Sequence, residues 1–191
     1  YTKVQNSATF TLAQKIEIPY MENVDEAYFA ILPVKEYLKI VLDDTGKIRS
    51  GIFELNVRDF AGIEENRVNQ DIVTTLKSSN KIYFGLLNNG ITIVGKSLSK
   101  MHGKYTIKNF YVVNGCQTTN VLSENALDIT DDMWISVKIV ITQKDNIIRD
   151  IVKATNNQTE VEEIQLLSMT EYQQELETFF STYTTYTKLY Y

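Results

Sequence analysis

One stretch restricts the fold more than any other. Ile135, Val137, Ile139 and Ile141 alternate with Ser136, Lys138 and Val140, a period of two that an extended strand turns into one buried face. Such a strand is not stable alone and demands paired neighbours with a cover over its apolar side. The same alternation, in shorter form, predicts strands over residues 8–12, 15–18, 52–57, 82–84 and 91–94, and a longer one over 105–113. Between these lie segments with helical spacing: Val34, Tyr37, Leu38 and Val41 behind Pro33; Val68, Ile72 and Leu76; residues 116–122; and Ile147, Ile148, Ile151 and Val152. A last helix is expected over residues 160–180, with Val161, Ile164, Leu167, Leu176, Phe179 and Phe180 inward. Strands and helices interspersed in this way predict an α/β (α+β) fold, a mixed sheet with flanking helices. The organisation expected is an N-terminal strand extension (1–26), a core (27–160) and a C-terminal helical segment (161–191).

Composition narrows the functional classes. The chain has 191 residues, 19 Lys and Arg against 24 Asp and Glu, and a formal net charge of −5. No basic run is present, which speaks against a protein whose main task is gripping duplex phosphates. The lone Cys116 has no partner for an internal disulfide, which fits a reducing cytoplasm, and one His with one Cys cannot make a zinc site of those ligands. No apolar run is long enough to span a membrane. The start at Tyr1-Thr2-Lys3 has neither an initiator Met nor a signal stretch, and the chain reads as a fragment of a longer protein.

Three loops share one chemical character: Asn88-Asn89-Gly90, Asn114-Gly115-Cys116-Gln117-Thr118-Thr119, and Asn156-Asn157-Gln158-Thr159. Each joins two regular elements, and Asn and Gly suit turns because both tolerate left-handed backbone. Asn89-Gly90 alone would serve as a type I′ hairpin turn. The second loop says more, because a strand, a Gly turn and a helix opening with two Thr direct free N–H groups at an anion. His102, before Gly103, reads as a solvated turn residue. Glu160, Glu162 and Glu163 read as favourable charges at a helix start.

Taken in order, the segments at 53–60, 68–76, 84–92, 112–119 and 154–161 resemble the abortive-infection phage-resistance (AIPR) family over roughly residues 27–191. That resemblance implies a component of bacterial anti-phage defence, working with other domains or proteins of the defence system. It implies no particular reaction. Strand, Asn114-Gly115, Gln117, helix, then Asn156 and Gln158 is also similar, more distantly, to the ParB/sulfiredoxin-like layout, in which a Gly turn and basic residues handle nucleotide phosphates. By position Gly115 would be the turn glycine, with Gln117 and Thr118 at the basic positions. Both are neutral here, so cationic help would fall to Arg58, Lys153 or a metal. Cys116 occupies the place of the sulfiredoxin thiol, without the His-Arg neighbours of that pattern.

The expectation is a polar pocket binding a nucleotide, with or without Mg²⁺, or a nucleic-acid phosphate. Arg58, Asn89, Gly90, Asn114, Gly115, Gln117, Thr118, Thr119, Asn156, Asn157 and Gln158 would line it. Two alternatives stand beside it: a non-enzymatic protein-interaction or regulatory module, and a metal-dependent nuclease with acidic residues near Gln117.

Overall fold

The computed structural model describes residues 6–55 and 67–156. Its strands are β1 (Ser7–Phe10), β2 (Gln14–Glu17), β3 (Glu26–Pro33), β4 (Ile91–Met101), β5 (Lys104–Asn114) and β6 (Trp134–Ile141). The helices are α1 (Val34–Val41), α2 (Arg67–Leu76), the single turn α3 (Phe84–Leu87), α4 (Cys116–Glu124) and α5 (Asp145–Asn156). The strands form one mixed sheet in the order β1-β5-β4-β6-β3-β2. Every neighbouring pair is antiparallel except β4 with β6.

Chain reach dictates the shape of this sheet. β1 and β2 occupy opposite edges, yet residues 11–13 alone connect them. A connector of that length spans about 14 Å at most, whereas six flat strands would be about 24 Å across. The sheet therefore curls until its edges approach each other. Lys15 on β2 confirms this, with its ammonium 3.7 Å from the Tyr28 ring centroid and 5.7 Å from that of Tyr105 on β5.

The concave side holds the main core. Ile93, Ile107, Phe110, Val112, Ile135 and Ile139 face Tyr37, Ile40 and Val41 of α1, Leu76 of α2 and Leu122 of α4. Each fully buried aliphatic side chain contributes roughly 1.5–3 kcal/mol relative to exposure. Residues of opposite parity, Val94 and Val140, pair across β4 and β6 and are buried outside that cluster, as are Ile148 and Val152 of α5. α5 thus covers part of the convex side, and the rest of that side stays open over β6, β3 and β2.

Two expected strands are replaced by other structure. Residues 51–55 form turns, because Gly51 takes a left-handed conformation (φ 77°). Ile52 is still fully buried, and its carbonyl accepts the Val112 N–H at 2.7 Å. Residues 79–83 form a 3₁₀ turn begun by Ser78, whose hydroxyl accepts the Asn80 N–H, and α3 follows at once. Asn89-Gly90 therefore joins a helical turn to β4 and is not a hairpin turn. The hairpin of this region is His102-Gly103, both with positive φ (48° and 78°), between β4 and β5. β3 escapes the sequence pattern because the exposed Phe29 and Ile31 are as apolar as Tyr28, Ala30 and Leu32, which are buried on the opposite face. The helix expected at 160–180 lies outside the described residues.

Candidate functional site

The first two Asn-rich turns meet. Asn88 is the clasp: its side-chain oxygen accepts the Gly90 N–H at 3.1 Å, and its amide donates to the Thr118 hydroxyl of α4 at 3.2 Å. Gly90 has φ 77°, and a Cβ there would fall 2.5 Å from Ser136 Oγ and 2.9 Å from the Ser136 carbonyl oxygen. Gly115 has φ 100°, and a Cβ there would fall 2.2 Å from Ile91 Cδ1. Both turns need glycine, because β4 enters the sheet directly against β6 on one side and the start of α4 on the other.

A β-bulge then sets the direction of the polar side chains. Thr92 pairs with Asn114 while the next residue, Ile93, pairs with Val112, leaving Val113 as the extra residue on β5. The shift puts Asn114 beside Thr92 on the convex side, and bulges commonly re-aim side chains in this way. Following the register outward gives one cross-strand row: Asn114, Thr92, Lys138, Phe29, Ile16. At about 4.8 Å per step the row spans roughly 19 Å. It floors a cleft of about 400 Å³, whose second row carries Ser136, Ile31 and Gln14 and whose rim carries Asn89, Gly90 and Thr155. That volume lies in the range of small-molecule sites.

The cleft is graded. Ile16 is 72% exposed and Phe29 53%, whereas Thr92 is 4% exposed. The shallow end is apolar and the deep end presents hydroxyls and amides. Between them Lys138 lies with its ammonium 5.5 Å from the Phe29 ring centroid, and among the described residues no carboxylate pairs with it. The ammonium of Lys15 is engaged by aromatic rings on the other side of the sheet and adds nothing here. No Asp, Glu or His stands among the described residues lining the cleft. A half-buried cation with neutral donors, in a chain of excess carboxylates, is a lining whose chemistry suits an anion.

A second, smaller cleft of about 250 Å³ lies on the other side of the Asn88–Gly90 turn, bounded by Asp71, Thr75, Phe84, Leu87 and Thr118. Its carboxylate sets it apart electrostatically from the first. The turn is the wall shared by both.

The expected site residues therefore separate. Asn89, Gly90 and Asn114 line the first cleft, and Thr118 lines the second. Gly115 shapes the wall through Ile91. Gln117 accepts a hydrogen bond from the Asn69 amide at 2.9 Å and so ties α4 to α2. Thr119 lies in neither cleft. It is fully buried, its hydroxyl donating to the Gly115 carbonyl at 2.7 Å. With that proton committed, the Tyr37 hydroxyl donates to Thr119. Burial pushes the Tyr37 hydroxyl well above the ordinary phenol range despite this bond, so it stays a neutral donor. The backbone of Asn156 ends α5, and Thr155 brings that third turn's start to the first cleft. Arg58, Asn157 and Gln158 lie outside the described residues.

The sequence points to Arg58 or Lys153 for the cation, whereas the cleft holds Lys138. Lys153 is exposed on α5. In an alternating strand Lys138 reads as the solvent side, and the signal that marks it is the cross-strand register, which a single sequence does not display. Cys116 is buried at the first residue of α4. Among the described residues no group of three or more His, Cys, Asp or Glu is placed to hold a metal, and no helix is long and apolar enough to cross a membrane.

A family model described as AIPR protein matches residues 53–191, well over half of the chain. No curated protein and no solved structure matches it.

Proposed function

The chain belongs to the AIPR protein family, which suggests a role in abortive infection or phage defence, and from that premise we propose that its convex-side cleft binds a nucleotide or nucleic-acid phosphate. The observation that carries this reading is the chemistry of the lining. A chain with 24 acidic residues keeps carboxylates out of the described wall of one cleft. It places there a half-buried Lys138, the Thr92 and Ser136 hydroxyls and the Asn89 and Asn114 amides. Phosphate oxygens are acceptors only, and this lining supplies donors and one positive charge to meet them. Phe29, beside the cation, offers a flat face on which a base can stack.

In this reading Gly90 lets the β4 turn sit against Ser136, Asn88 holds that turn to α4, and Gly115 keeps α4 close to Ile91. The site recognises an anion, and no residue here is assigned to bond breaking.

The test is a thermal-shift panel of the chain against nucleoside mono-, di- and triphosphates, with and without Mg²⁺. Ligand that binds only the folded state raises the melting temperature, by the equivalent of about 2.7 kcal/mol at a hundredfold excess over Kd. The expected result is a selective rise lost in Lys138→Met. No rise with any nucleotide at millimolar concentration would refute the proposal. A second reading, a protein-docking module, is favoured by the exposed Ile82, Tyr83, Leu86 and Leu87 around α3.

A further inference from the structure

Resting on the anion-site reading above, we infer that the cleft takes its ligand phosphate-first and recognises a terminal phosphate monoester of a nucleotide, with the base left at the mouth. The grading of the floor carries this. Along the row Ile16, Phe29, Lys138, Thr92, the residues become polar in the order in which they become buried, from 72% exposed at Ile16 to 4% at Thr92, and the half-buried Asn114 follows at the polar end. The polar end is walled by the Asn88–Gly90 turn and by the bulge at Asn114. The apolar end runs out at β2, an edge of the sheet.

These features fix an orientation. A buried hydroxyl such as that of Thr92 favours a ligand that can hydrogen-bond to it, and an apolar group lodged there would leave it unsatisfied. A phosphate supplies the acceptors, so the anion goes in deep. Phe29 and Ile31, half exposed and next to Lys138, then meet the flat hydrophobic part of the same molecule. An internal phosphodiester has chain on both sides, and one of the two would run into the walled end. A terminal monoester has substituents on one side only. It also carries more negative charge than a diester near neutral pH, its second ionisation lying near 6. Both a free mononucleotide and the phosphorylated end of an oligonucleotide present this group, since whatever is attached beyond the base or sugar leaves over β2.

The experiment measures binding of adenosine, adenosine 5′-monophosphate and short oligothymidylates. The oligothymidylates carry a 5′-phosphate, a 3′-phosphate or hydroxyls at both ends. The expected result is that phosphorylated ends bind at least roughly tenfold tighter than hydroxyl ends, the weight of one charge-assisted hydrogen bond, and that adenosine does not compete. The mononucleotide and oligonucleotide arms tell which source the cleft prefers. Thr92→Val should shrink the preference for phosphorylated ends. Phe29→Ala, at an exposed position, should weaken all nucleotide ligands alike and leave the preference intact. Equal affinity for phosphorylated and hydroxyl ends would overturn the orientation while leaving an anion site in place. Failure of every nucleotide and oligonucleotide to bind would overturn the site reading itself, and this inference with it.

Discussion

Replacing Gly90 by alanine tests whether the close approach of β4 to β6 shapes the cleft. Two costs act together. At φ 77° an L-residue pays about 1–2 kcal/mol for the left-handed conformation. In addition, the new Cβ would sit 2.5 Å from Ser136 Oγ and 2.9 Å from the Ser136 carbonyl oxygen. The hydroxyl can rotate away, but the carbonyl belongs to β6 and moves only with the strand, which adds about 1–3 kcal/mol of overpacking. Gly103 is the control: its φ is 78°, and a Cβ there meets nothing within 4 Å. Gly103→Ala should therefore cost about 1–2 kcal/mol, the conformational part alone. Gly90→Ala should cost about 2–5 kcal/mol, the two parts together. Urea unfolding of the two variants against the parent chain measures the difference directly, with m-values unchanged if the native compactness is kept. Gly90→Ala falling within about 0.5 kcal/mol of Gly103→Ala would refute the steric argument, since that is the size of an ordinary surface effect.

Three further outcomes follow from the same geometry. Thr119→Val leaves the buried Tyr37 hydroxyl without its partner, while the Gly115 carbonyl keeps the Thr119 N–H, and should cost about 1–3 kcal/mol in urea unfolding. Adding Tyr37→Phe should return part of that loss, which a double-mutant cycle would read as coupling. Asn88→Ala removes the side-chain bonds to Gly90 and Thr118. It should destabilise by about 1–3 kcal/mol and should weaken any ligand of the first cleft, checked by unfolding and by titration. Glu36 is a pH probe. Burial pushes its carboxyl up, but the hydrogen bonds from Lys39 and the Thr11 N–H outweigh that and hold it below the ordinary value of 4.5. A depressed folded-state value contributes stability above the unfolded value and loses it as pH falls through the folded one. The stability gap between the parent chain and Glu36→Gln should therefore be full at neutral pH and close as pH drops below about 4.

How far the sequence reaches can be judged element by element. α1, α2, α4, α5 and β6 are legible because each buries one face, so Val34-Tyr37-Leu38-Val41 and Ile135-Val137-Ile139-Ile141 show their periods plainly. β3 is not, because it lies between β6 and β2 with apolar residues on both faces, and its alternation vanishes. The 82–84 segment misleads because Ile82, Tyr83 and Phe84 have strand-like identities, while Ser78 and the following α3 close the chain into turns. At the site, the glycines and asparagines of the first two turns are legible, since their left-handed positions restrict residue type. The sheet register is not. Lys138, Phe29 and Ile16 are far apart in the chain, and nothing local announces that three strands set them in one row beside Thr92 and Asn114. Thr119 reads as a helix-start hydroxyl and is in fact a buried link between α1 and α4.

The most direct test of the central claim is amide chemical-shift mapping of the chain titrated with adenosine 5′-monophosphate. Saturable shifts concentrated at Asn89, Ile91, Thr92, Asn114 and Lys138 are expected, with smaller ones at Phe29 and Ile31. Shifts confined instead to Asp71, Thr75 and Thr118 in the second cleft, or no saturable shift at millimolar nucleotide, would contradict that claim.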